Sequence, residues 1–439
     1  MKFNSVCILG MGYIGLPTAC MFTQSGVRVL GVDIHPEIVD TLNRGQIHIH
    51  EPGLAEAVNQ AVAAGMLRAA TAPQPSDAFI IAVPTPFYHN DLGEHDGKSY
   101  KKADMRAVES AARSILPVLR PGNLVVLEST SPPRTTTDLI RPILEESGLK
   151  AGQDFTLAYS PERVLPGQIL RELVENARVI GGIDPASAQA GADLYSAFVR
   201  GQIHQTDSTT AEMVKLMENT YRDVNIAIAN EFGRLATRFG VDVWEAISLA
   251  SLHPRVKILS PGPGVGGHCI SVDPWFLVES APDLAQLIAK ARAVNDGQPH
   301  FLLQQLRAAL GGNLAGVNVA VLGLAYKPDV DDLRESPAVE VAQLLTQAGA
   351  HVLAWEPYKP QANLPGVPQA SSLQDSISNA NVLLVLVGHS QFKTLQPAQV
   401  AQETPARLVF DAVNTLNAPA WRAAHFTLHR LGDAKNQPG

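Results

Sequence analysis

The chain has 439 residues, of which 46% are hydrophobic and 17% are charged, and its formal net charge is −8. This composition is typical of a globular protein with a sizeable core, and the length suggests about three domains of roughly 150 residues each. Because the chain is acidic and its basic residues are not clustered, nucleic acid and anionic membrane surfaces are excluded as main partners. No apolar run approaches the roughly 20 residues that a membrane span needs.

The three cysteines, an odd number at unrelated spacings, argue against a disulfide framework and against a zinc site. Cys7 and Cys20 lie in apolar runs and are predicted to be core residues. Cys269 follows the run PGPGVGGH, which is poor core material although a buried thiol packs well. With no signal-peptide pattern at the N-terminus, the cysteine usage predicts a reducing, cytoplasmic location.

The first part of the chain alternates short apolar runs with helical patterns. An apolar run at 5–10 leads into GMGYIG, a helical pattern follows to Gln24, and the run VRVLGVD ends at Asp33. Further apolar runs lie at 78–83, 123–130 and 154–160. This order predicts a parallel, doubly wound sheet. Residues 87–103 are predicted to form a long polar loop, to which we assign no role.

The middle of the chain is predicted to be helical. One long helix is expected from about Asp207 to Phe239, with Asp207 or Ser208 as its N-cap. Further helical patterns flank the glycine-rich loop around Cys269, and the α/β alternation restarts at Gly316. The sequence therefore predicts an α/β protein with two Rossmann-like doubly wound lobes joined by an all-helical central domain. The predicted domains are 1–205, 206–312 and 313–439.

The turn after the first apolar run has the pattern G-x-G-x-x-G, formed by Gly10, Gly12, Tyr13, Ile14 and Gly15. The first glycine allows the tight turn, the second lets a pyrophosphate approach the backbone, and the third permits close helix–strand packing. Asp33 stands 18 residues after the last glycine, where its carboxylate can bind ribose hydroxyls and repel a 2′-phosphate. The pattern predicts NAD binding; the alternative is that the glycines serve only as turns.

Other polar side chains follow predicted strands. Thr85 in AVPTP and Thr130 in LEST come after apolar runs, where ligands bind in parallel sheets, although either hydroxyl could instead cap the next helix. Lys327 and Arg334 follow the first strand of the second lobe and could hold phosphates or a carboxylate. The alternative for these two residues is a solvated loop.

Three polar residues of the long helix, Lys215, Asn219 and Arg222, fall on one face at helical spacing. This face is either exposed or borders a wet cleft. A lysine favours the thiolate of a nearby cysteine, and with an asparagine it can stabilise an alkoxide. Asp273 lies four residues after Cys269 and could orient a water or the lysine.

Glu162, in YSPERVLPG, is a further carboxylate after a predicted strand. NAD, a nucleophilic cysteine, a lysine and a carboxylate suit the oxidation of an alcohol through an aldehyde to an acid. In that chemistry the thiolate adds to the aldehyde, a second hydride leaves, and water releases the acid from a thioester. Small residues around Cys269 would let substrate and nicotinamide approach the sulfur.

Seven blocks resemble the UDP-glucose/GDP-mannose dehydrogenase family in the family's own order, over nearly the whole chain. They are GMGYIGLPTA, AVPTP, LESTSPP, YSPERVLPG, TAEMVKLMENTYRDVNIAIANE, HPRVKILSPGPGVGGHCISVDPWF and GLAYKPDVDDLRESPA. The resemblance implies oxidation of the C6 alcohol of a nucleotide sugar to a uronate with two NAD, without release of the aldehyde. It also implies a homodimer formed through the helical domain, in which an arginine of one subunit can complete the partner's site.

The resemblance also implies roles for individual residues. Cys269 corresponds to the nucleophile and Lys215 to the acid/base or oxyanion partner. Assistance is implied for Asn219, Asp273, Glu162 and Thr130. The NAD side corresponds to Gly10, Gly12, Tyr13, Ile14, Gly15, Asp33, Thr85, Thr130 and Arg334. Substrate contacts correspond to Arg163, Val164, Lys215, Asn219, Arg222, His253, Arg255, Gly264, Tyr326 and Lys327.

Within the family, the blocks SPERVLPG and GPGVGGHC-x-x-VDPWF resemble members that oxidise UDP-N-acetyl-D-mannosamine for bacterial surface polysaccharide. Val272 stands where members acting on UDP-glucose usually carry a lysine. The N-acetylglucosamine and N-acetylgalactosamine epimers are the alternatives within the class. Outside it stand a two-electron hydroxyacid dehydrogenase, which would not need Cys269, and a non-catalytic NAD-binding protein.

Overall fold

The computed structural model describes residues 3–267 and 269–435. The chain divides into two compact units: Met1–Glu218 with Trp275–Leu284, and Asn219–Pro274 with Ala285–Gly439. Within the described part of the chain, no helix has both the length and the apolar character required to cross a membrane.

The first unit is built on an eight-stranded sheet. Its strands and those of a separate hairpin are β1 (Ser5–Leu9), β2 (Arg28–Val32), β3 (Leu67–Ala70), β4 (Ala78–Ile81), β5 (Phe87–His95), β6 (Lys98–Ala103), β7 (Leu124–Leu127), β8 (Thr156–Tyr159), β9 (Arg178–Gly182) and β10 (Ile203–Asp207). The sheet order is β10-β9-β8-β7-β4-β1-β2-β3. All neighbouring strands are parallel except β8 and β9, which are antiparallel. The doubly wound prediction is confirmed, with this one reversed strand pair added.

Helices cover the sheet of the first unit. They are α1 (Gly15–Gln24), α2 (Pro36–Asn43), α3 (Leu54–Ala63), α4 (Arg106–Ile115), α5 (Arg141–Glu145), α6 (Ile169–Glu175) and α7 (Pro185–Tyr195). A 3-10 turn at Leu116–Val118 and a π-helical segment at Thr135–Ile140 complete the unit. Nine of the ten residues of α1 are buried, since its small and apolar side chains pack directly on the central strands.

The long helix α8 (Ser208–Phe239) confirms the prediction from the sequence. Asp207 is its N-cap, because the Asp207 carboxylate accepts hydrogen bonds from the backbone N–H of Thr210 at 2.8 Å and from the Thr210 hydroxyl at 2.6 Å. The boundary between the two compact units falls inside this helix, after Glu218.

The second unit combines helices with a five-stranded parallel sheet. After α8 the helices are α9 (Val243–Ala250), α10 (Asp273–Ser280), which begins in this unit, α11 (Gln286–Asp296), α12 (Gln298–Ala309), α13 (Pro337–Gln347), α14 (Leu373–Ile377), α15 (Ser390–Lys393), α16 (Pro397–Glu403) and α17 (Ala418–Ala423). The strands are β11 (Asn318–Leu322), β12 (His351–Trp355), β13 (Val382–Val385), β14 (Leu408–Asp411) and β15 (Thr427–Arg430), in the order β12-β11-β13-β14-β15. The predicted second Rossmann-like lobe and the helical middle are therefore confirmed.

The prediction of a polar loop at 87–103 is wrong. The segment forms an antiparallel hairpin of β5 and β6, and its register shifts between Phe87 and Leu92. A Cβ at Gly93 would overlap the ring of Tyr100, so the ring lies across the glycine of the facing strand. Lys102 pairs with Asp91 at 2.8 Å across the hairpin. Side-chain contacts between the two strands can therefore stabilise a hairpin whose sequence has no alternating apolar pattern.

Candidate active site

The glycine turn between β1 and α1 shows why each of its glycines is needed. Gly10 has φ +95°, and a Cβ there would lie 2.5 Å from the Ala82 carbonyl oxygen. A Cβ at Gly15 would overlap the Gly10 carbonyl oxygen. Around the Cβ position of Gly12, in contrast, no described residue other than Gly12 and its two chain neighbours has an atom within 4 Å. The first and third glycines satisfy packing, whereas the second leaves open space for a ligand.

The N-terminus of α1 faces that space. No side chain of the described residues caps the helix at Ile14, so its first N–H groups and its dipole can receive an anion. Asp33 follows β2, and its carboxylate accepts hydrogen bonds from the backbone N–H of Met11 at 3.2 Å and of His35 at 3.1 Å. This arrangement fits NAD, with the pyrophosphate at the glycine turn and a ribose at Asp33.

His48 also lies at this turn, and sequence reasoning missed it. The imidazole is next to Asp33 and hydrogen-bonds with the Met11 backbone. Partial burial lowers the pKa of His48 below its usual value, although both neighbours act in the opposite direction. The residue lies between helices in a segment without a motif, so only the fold could have revealed this position.

Thr85 and Thr130 connect two neighbouring strand ends. The Thr85 hydroxyl donates a hydrogen bond to the Thr130 backbone carbonyl at 2.7 Å. Neither residue caps a helix, since α4 and the π-helical segment begin after Met105 and Arg134 without a side-chain cap. The helix-capping alternative is therefore excluded. The two threonines lie together beyond the carboxyl ends of β4 and β7, the edge at which ligands bind in such sheets.

Lys215 reaches the segment after β8. Its ammonium group donates a hydrogen bond to the backbone carbonyl of Glu162 at 2.8 Å, and the side chain is half-buried. The next residue, Arg163, pairs with Glu218 at 2.7 Å. Val164 packs against the core of the first unit. Of these predicted site residues, Lys215, Glu162 and Arg163 are thus held together, while Val164 faces apolar neighbours.

The carboxylate of Glu162 points to a buried ionic cluster that the sequence did not predict. One oxygen accepts from the Arg163 backbone N–H at 2.7 Å, and the other pairs with the guanidinium of Arg178. Arg178 also lies 3.4 Å from a carboxylate oxygen of Glu128, and its guanidinium stacks 4.1 Å from the ring centre of Tyr195. Burial raises the pKa of Glu128, and the nearby Arg178 opposes this shift. The Glu162 carboxylate is therefore held by Arg178 and by the Arg163 backbone, and the backbone carbonyl of Glu162 is the group that accepts the hydrogen bond from Lys215.

Cys269 is carried by a tight turn at the start of α10. Its carbonyl accepts hydrogen bonds from the backbone N–H of Val272 at 3.0 Å and of Asp273 at 2.8 Å. The Asp273 side chain, which is 2% exposed, accepts from the amide of Asn219 at 2.5 Å. This pairs α8 with α10 in the second unit and fixes the backbone that presents the thiol.

Tyr326 lies against the same turn. Gly267 has φ +84°, and a Cβ there would lie 2.7 Å from the Tyr326 ring, so only glycine fits. Burial raises the pKa of the Tyr326 hydroxyl to about 12, and Asp332 and Cys269 add to the shift, whereas Arg334 and Arg222 oppose it. These predicted residues of the second unit therefore share one neighbourhood.

A cavity of about 510 Å³ opens beside this neighbourhood, a size suited to a nucleotide sugar. It lies within the second unit, and predicted residues in its wall are Gly264, Tyr326 and Lys327. Sequence reasoning missed Lys393, Asn414 and Thr415, which also line it. The loop carrying the last two is shaped by the buried Asp411, which accepts from the Thr415 N–H at 2.7 Å. An aspartate ending the strand-like run RLVFD was the only sequence signal for this wall.

Two predicted substrate contacts lie elsewhere. His253 and Arg255 are exposed, and the Arg255 N–H donates to the imidazole of His253 at 3.3 Å. Neither is among the described residues that line the cavity.

The three cysteines differ as the sequence predicted. Cys7 and Cys20 are fully buried, and burial raises the pKa of each thiol to about 12. Cys269 is partly exposed. A thiol that keeps its proton and meets no solvent cannot act as a nucleophile, so of the three cysteines Cys269 is the candidate for chemistry at sulfur.

Known proteins share this architecture over most of the chain. Models of the UDP-glucose/GDP-mannose dehydrogenase family match its NAD binding domain at residues 4–199, its central domain at 209–297 and its UDP binding domain at 320–418. The UDP-N-acetyl-D-mannosamine dehydrogenase of Escherichia coli K12 is 48% identical over 422 residues, covering 92% of this chain and 98% of that protein. The NDP-N-acetyl-D-galactosaminuronic acid dehydrogenase of Ralstonia nicotianae is 48% identical over 405 residues, covering 90% of this chain and 93% of that protein.

A solved structure agrees with these relatives. The UDP-D-ManNAc dehydrogenase of Pyrococcus horikoshii has a TM-score of 0.89 and 38% identity, covering 98% of this chain and all of that chain. The matches thus extend to both the sequence and the fold. The chain therefore belongs to the UDP-glucose/GDP-mannose dehydrogenase family.

Proposed function

We propose that the protein oxidises the C6 hydroxyl of UDP-N-acetyl-D-mannosamine to the uronate by two NAD-dependent steps. The observation that carries this proposal is the partly exposed Cys269, whose turn is fixed by Asn219 and Asp273 beside a nucleotide-sized cavity. A two-electron dehydrogenase or a mere NAD-binding protein would have no use for a thiol at this place. The family's UDP binding domain, matched at residues 320–418, supports a UDP-sugar as substrate.

The first oxidation removes a hydride from C6 and a proton from its oxygen. NAD, when bound, supplies the hydride acceptor for both oxidations. We assign Lys215 to the C6 oxygen, where its amine form takes up the hydroxyl proton and the ammonium group so formed stabilises negative charge on that oxygen. The Glu162 carbonyl restrains this ammonium group. Asn219 follows Lys215 by one turn of α8 and assists at the same helix face.

Cys269 then converts the aldehyde into a form that can lose a second hydride. The thiolate forms a C–S bond to the carbonyl carbon, and the oxygen takes up a proton, which gives a thiohemiacetal. Loss of the second hydride and of the hydroxyl proton leaves a thioester. Water then adds, the C–S bond breaks, and the acid and the thiol are released. Asp273, Glu162 and Thr130 are assigned to water and proton handling, with the Glu162 carboxylate kept in place by Arg178.

The sugar epimer is supported by the names of the relatives and by Val272. The E. coli and P. horikoshii proteins carry the mannosamine name, whereas the R. nicotianae protein is named for the galactosaminuronic acid product. Val272 is buried in the turn after Cys269, where we expect a lysine in enzymes acting on UDP-glucose. We therefore propose the mannosamine epimer, with the galactosamine and glucosamine epimers as second candidates.

A panel of UDP-sugars tests this function. With limiting UDP-N-acetyl-D-mannosamine, we expect two NADH per sugar and a uronate identified by mass spectrometry. UDP-N-acetylgalactosamine, UDP-N-acetylglucosamine and UDP-glucose should react with a kcat/KM lower by at least about tenfold, since the wrong epimer loses a positioned hydrogen bond. One NADH per sugar, or no turnover with any member of the panel, would refute the four-electron mechanism.

We also propose that the protein is a homodimer joined through α8. An apolar stripe at helical spacing runs along this helix in the second unit, with side chains between 41 and 73% exposed: Tyr221, Ile228, Phe232, Leu235 and Phe239. A continuous apolar stripe of this kind is typical of a helix that packs against another chain. A second copy is the occupant that fits, because the stripe supports self-association about a two-fold axis.

Substitution of Phe232 by glutamate is expected to weaken self-association by roughly 100-fold, because it buries a charge at the centre of the stripe. Analytical ultracentrifugation should then report the mass of one chain instead of two. Leu92→Glu makes the same kind of change at an exposed leucine of the hairpin and should leave the dimer intact. A Phe232→Glu variant that stays dimeric would rule out this interface.

Two further assignments from the sequence are kept as proposals. The division into domains 1–205, 206–312 and 313–439 is supported by three family matches that fall within those ranges in the same order. A cytoplasmic location is supported by three cysteines that form no disulfide.

A further inference from the structure

The loop that leads to Cys269 forms part of the cavity wall before it reaches the thiol. Ser260, Gly262, Pro263 and Gly264 line the cavity on this side. The segment has no helix or strand to hold it, and its glycines and prolines offer few side chains for packing. Its conformation must therefore be imposed by neighbouring elements.

Two buried side chains hold the Gly262 peptide groups from both sides. The Gly262 N–H donates a hydrogen bond to the side-chain oxygen of Asn230 on α8 at 2.9 Å. The Gly262 carbonyl accepts one from the side-chain amide of Gln298, at the start of α12, also at 2.9 Å. Both side chains are 1% exposed or less. We call Asn230 and Gln298 the Gly262 clamp.

Further polar side chains hold the two residues of the Gly262 clamp in place. The Asn230 amide donates to Asn295 at 2.9 Å, and Asn295 donates to the Asp223 carboxylate at 2.8 Å. On the other side, the Arg234 guanidinium donates to the side-chain oxygen of Gln298 at 2.7 Å. This contact orients the Gln298 amide, because its oxygen faces Arg234 and its nitrogen must face Gly262. The chain of contacts joins α8, α11 and α12 to the loop.

The loop is also confined where it leaves the clamp. Gly264 has φ +139°, and a Cβ there would lie 3.0 Å from Pro337 and 3.2 Å from the Asn295 carbonyl oxygen. Buried, fully connected polar groups favour one conformation over its competitors. An apolar pair would fill the same space without specifying the orientation of the peptide. Polar groups that fix the orientation of a peptide are expected where that peptide lines a cavity and must match the shape and hydrogen-bonding groups of a ligand.

We propose that Asn230 and Gln298 are positioning residues that hold the Gly262 peptide groups in the conformation required to bind the nucleotide sugar. This inference rests on the proposed function, since it takes the cavity as the site of the UDP-sugar. The clamp residues do not touch the reacting atoms; they act through the loop. Their loss should therefore change substrate affinity more than the rate of the chemical step.

The Gln298→Glu variant tests the clamp, because glutamate keeps the contact with Arg234 but cannot donate to the Gly262 carbonyl. We expect the Kd of UDP, measured by isothermal titration calorimetry, and the KM of the UDP-sugar to rise about tenfold. The kcat should fall by less than about threefold, and the KM of NAD should not change, since the NAD turn belongs to the first unit. Asn230→Ala removes the other hydrogen bond, which the Gly262 N–H donates to Asn230. If Gln298→Glu does not fold, Asn230→Ala is the variant to measure.

A matched control separates positioning from general stability. Thr404→Val removes two buried hydrogen bonds of the second unit, away from the cavity wall: the Thr404 hydroxyl donates to the Ile377 carbonyl at 2.6 Å and accepts from the Ala406 N–H at 3.2 Å. It should lower the melting temperature to an extent similar to the clamp variants and leave the Kd of UDP unchanged.

The outcomes distinguish the inference from the proposed function. Clamp variants that bind UDP as the wild type does, while the wild type oxidises UDP-sugars, overturn the inference alone. A wild type that binds UDP but oxidises no UDP-sugar refutes the proposed function, and the effect of the clamp on UDP binding still decides the inference. A wild type that does not bind UDP overturns both.

Discussion

Replacement of Cys269 by serine is expected to stop uronate formation and to lower NADH production by about a thousandfold or more. The hydroxyl of serine stays protonated and is a far weaker nucleophile than a thiolate, so the thiohemiacetal cannot form. The loop should keep its conformation, because the backbone carbonyl of residue 269, which accepts hydrogen bonds from the N–H groups of Val272 and Asp273, is not altered by the substitution. The measurement is NADH formation followed in time, with the sugar products identified by mass spectrometry.

The other two cysteines provide the control for this result. Cys20→Ser changes a fully buried thiol in α1 and should leave kcat within about threefold of the wild type, with some loss of stability. Aldehyde retained on Cys269→Ser, with no more than one NADH formed per enzyme molecule, would agree with a first oxidation that needs no thiol. Uronate production at the normal rate by Cys269→Ser would exclude the covalent mechanism.

The elements that depend on local pattern could be predicted from the sequence. The glycine turn is one of them. Gly10 and Gly15 are required by close backbone contacts in and around a strand–turn–helix unit, and the sequence pattern alone indicates that unit. The long helix is another, since an unbroken helical pattern with Asp207 before it indicates both its extent and its cap. The core positions of Cys7 and Cys20 followed from the apolar runs around them.

Features that no local sequence pattern marks could not be predicted. The hairpin at 87–103 was missed because its strands are held by a lysine–aspartate pair and by Tyr100 over Gly93, not by alternating apolar residues. The contact between Asn230 and Gly262 joins residues 32 positions apart, and nothing near either residue indicates it. The contacts of Glu162 could not be predicted either: its carboxylate pairs with Arg178, and its backbone carbonyl accepts a hydrogen bond from Lys215.

Removal of the Arg178 charge is expected to destabilise the first unit strongly. Among the residues that the structure describes, Arg178 is the cation that pairs with the buried carboxylates of Glu128 and Glu162. Arg178→Met keeps the volume but removes the charge, and breaking a buried ion pair from one side costs about 3–5 kcal/mol. We expect a loss of this size in the free energy of unfolding of the first unit at pH 8, measured by urea denaturation. Activity should fall as well, because the segment that restrains Lys215 is anchored through Glu162.

The pH dependence of the stability of Arg178→Met, together with the added substitution Glu128→Gln, identifies the cause of the lost free energy of unfolding. Burial raises the pKa of Glu128 and the nearby Arg178 lowers it, so removal of Arg178 leaves the Glu128 carboxyl group with a greater tendency to stay protonated in the folded state. A carboxyl group whose pKa is raised by folding favours the folded state at low pH and loses that contribution as the pH rises. The defect of Arg178→Met should therefore be smaller at pH 5 than at pH 8.

Adding Glu128→Gln to Arg178→Met should recover about half of the loss at pH 8, because one uncompensated charge is removed while the Tyr195 hydroxyl keeps its acceptor. Arg113→Met removes an arginine from an exposed pair with Glu146 and should change stability by less than about 1 kcal/mol. A loss in Arg178→Met that is independent of pH and unaffected by Glu128→Gln would mean that packing of the guanidinium on Tyr195, and not charge balance, makes Arg178 necessary.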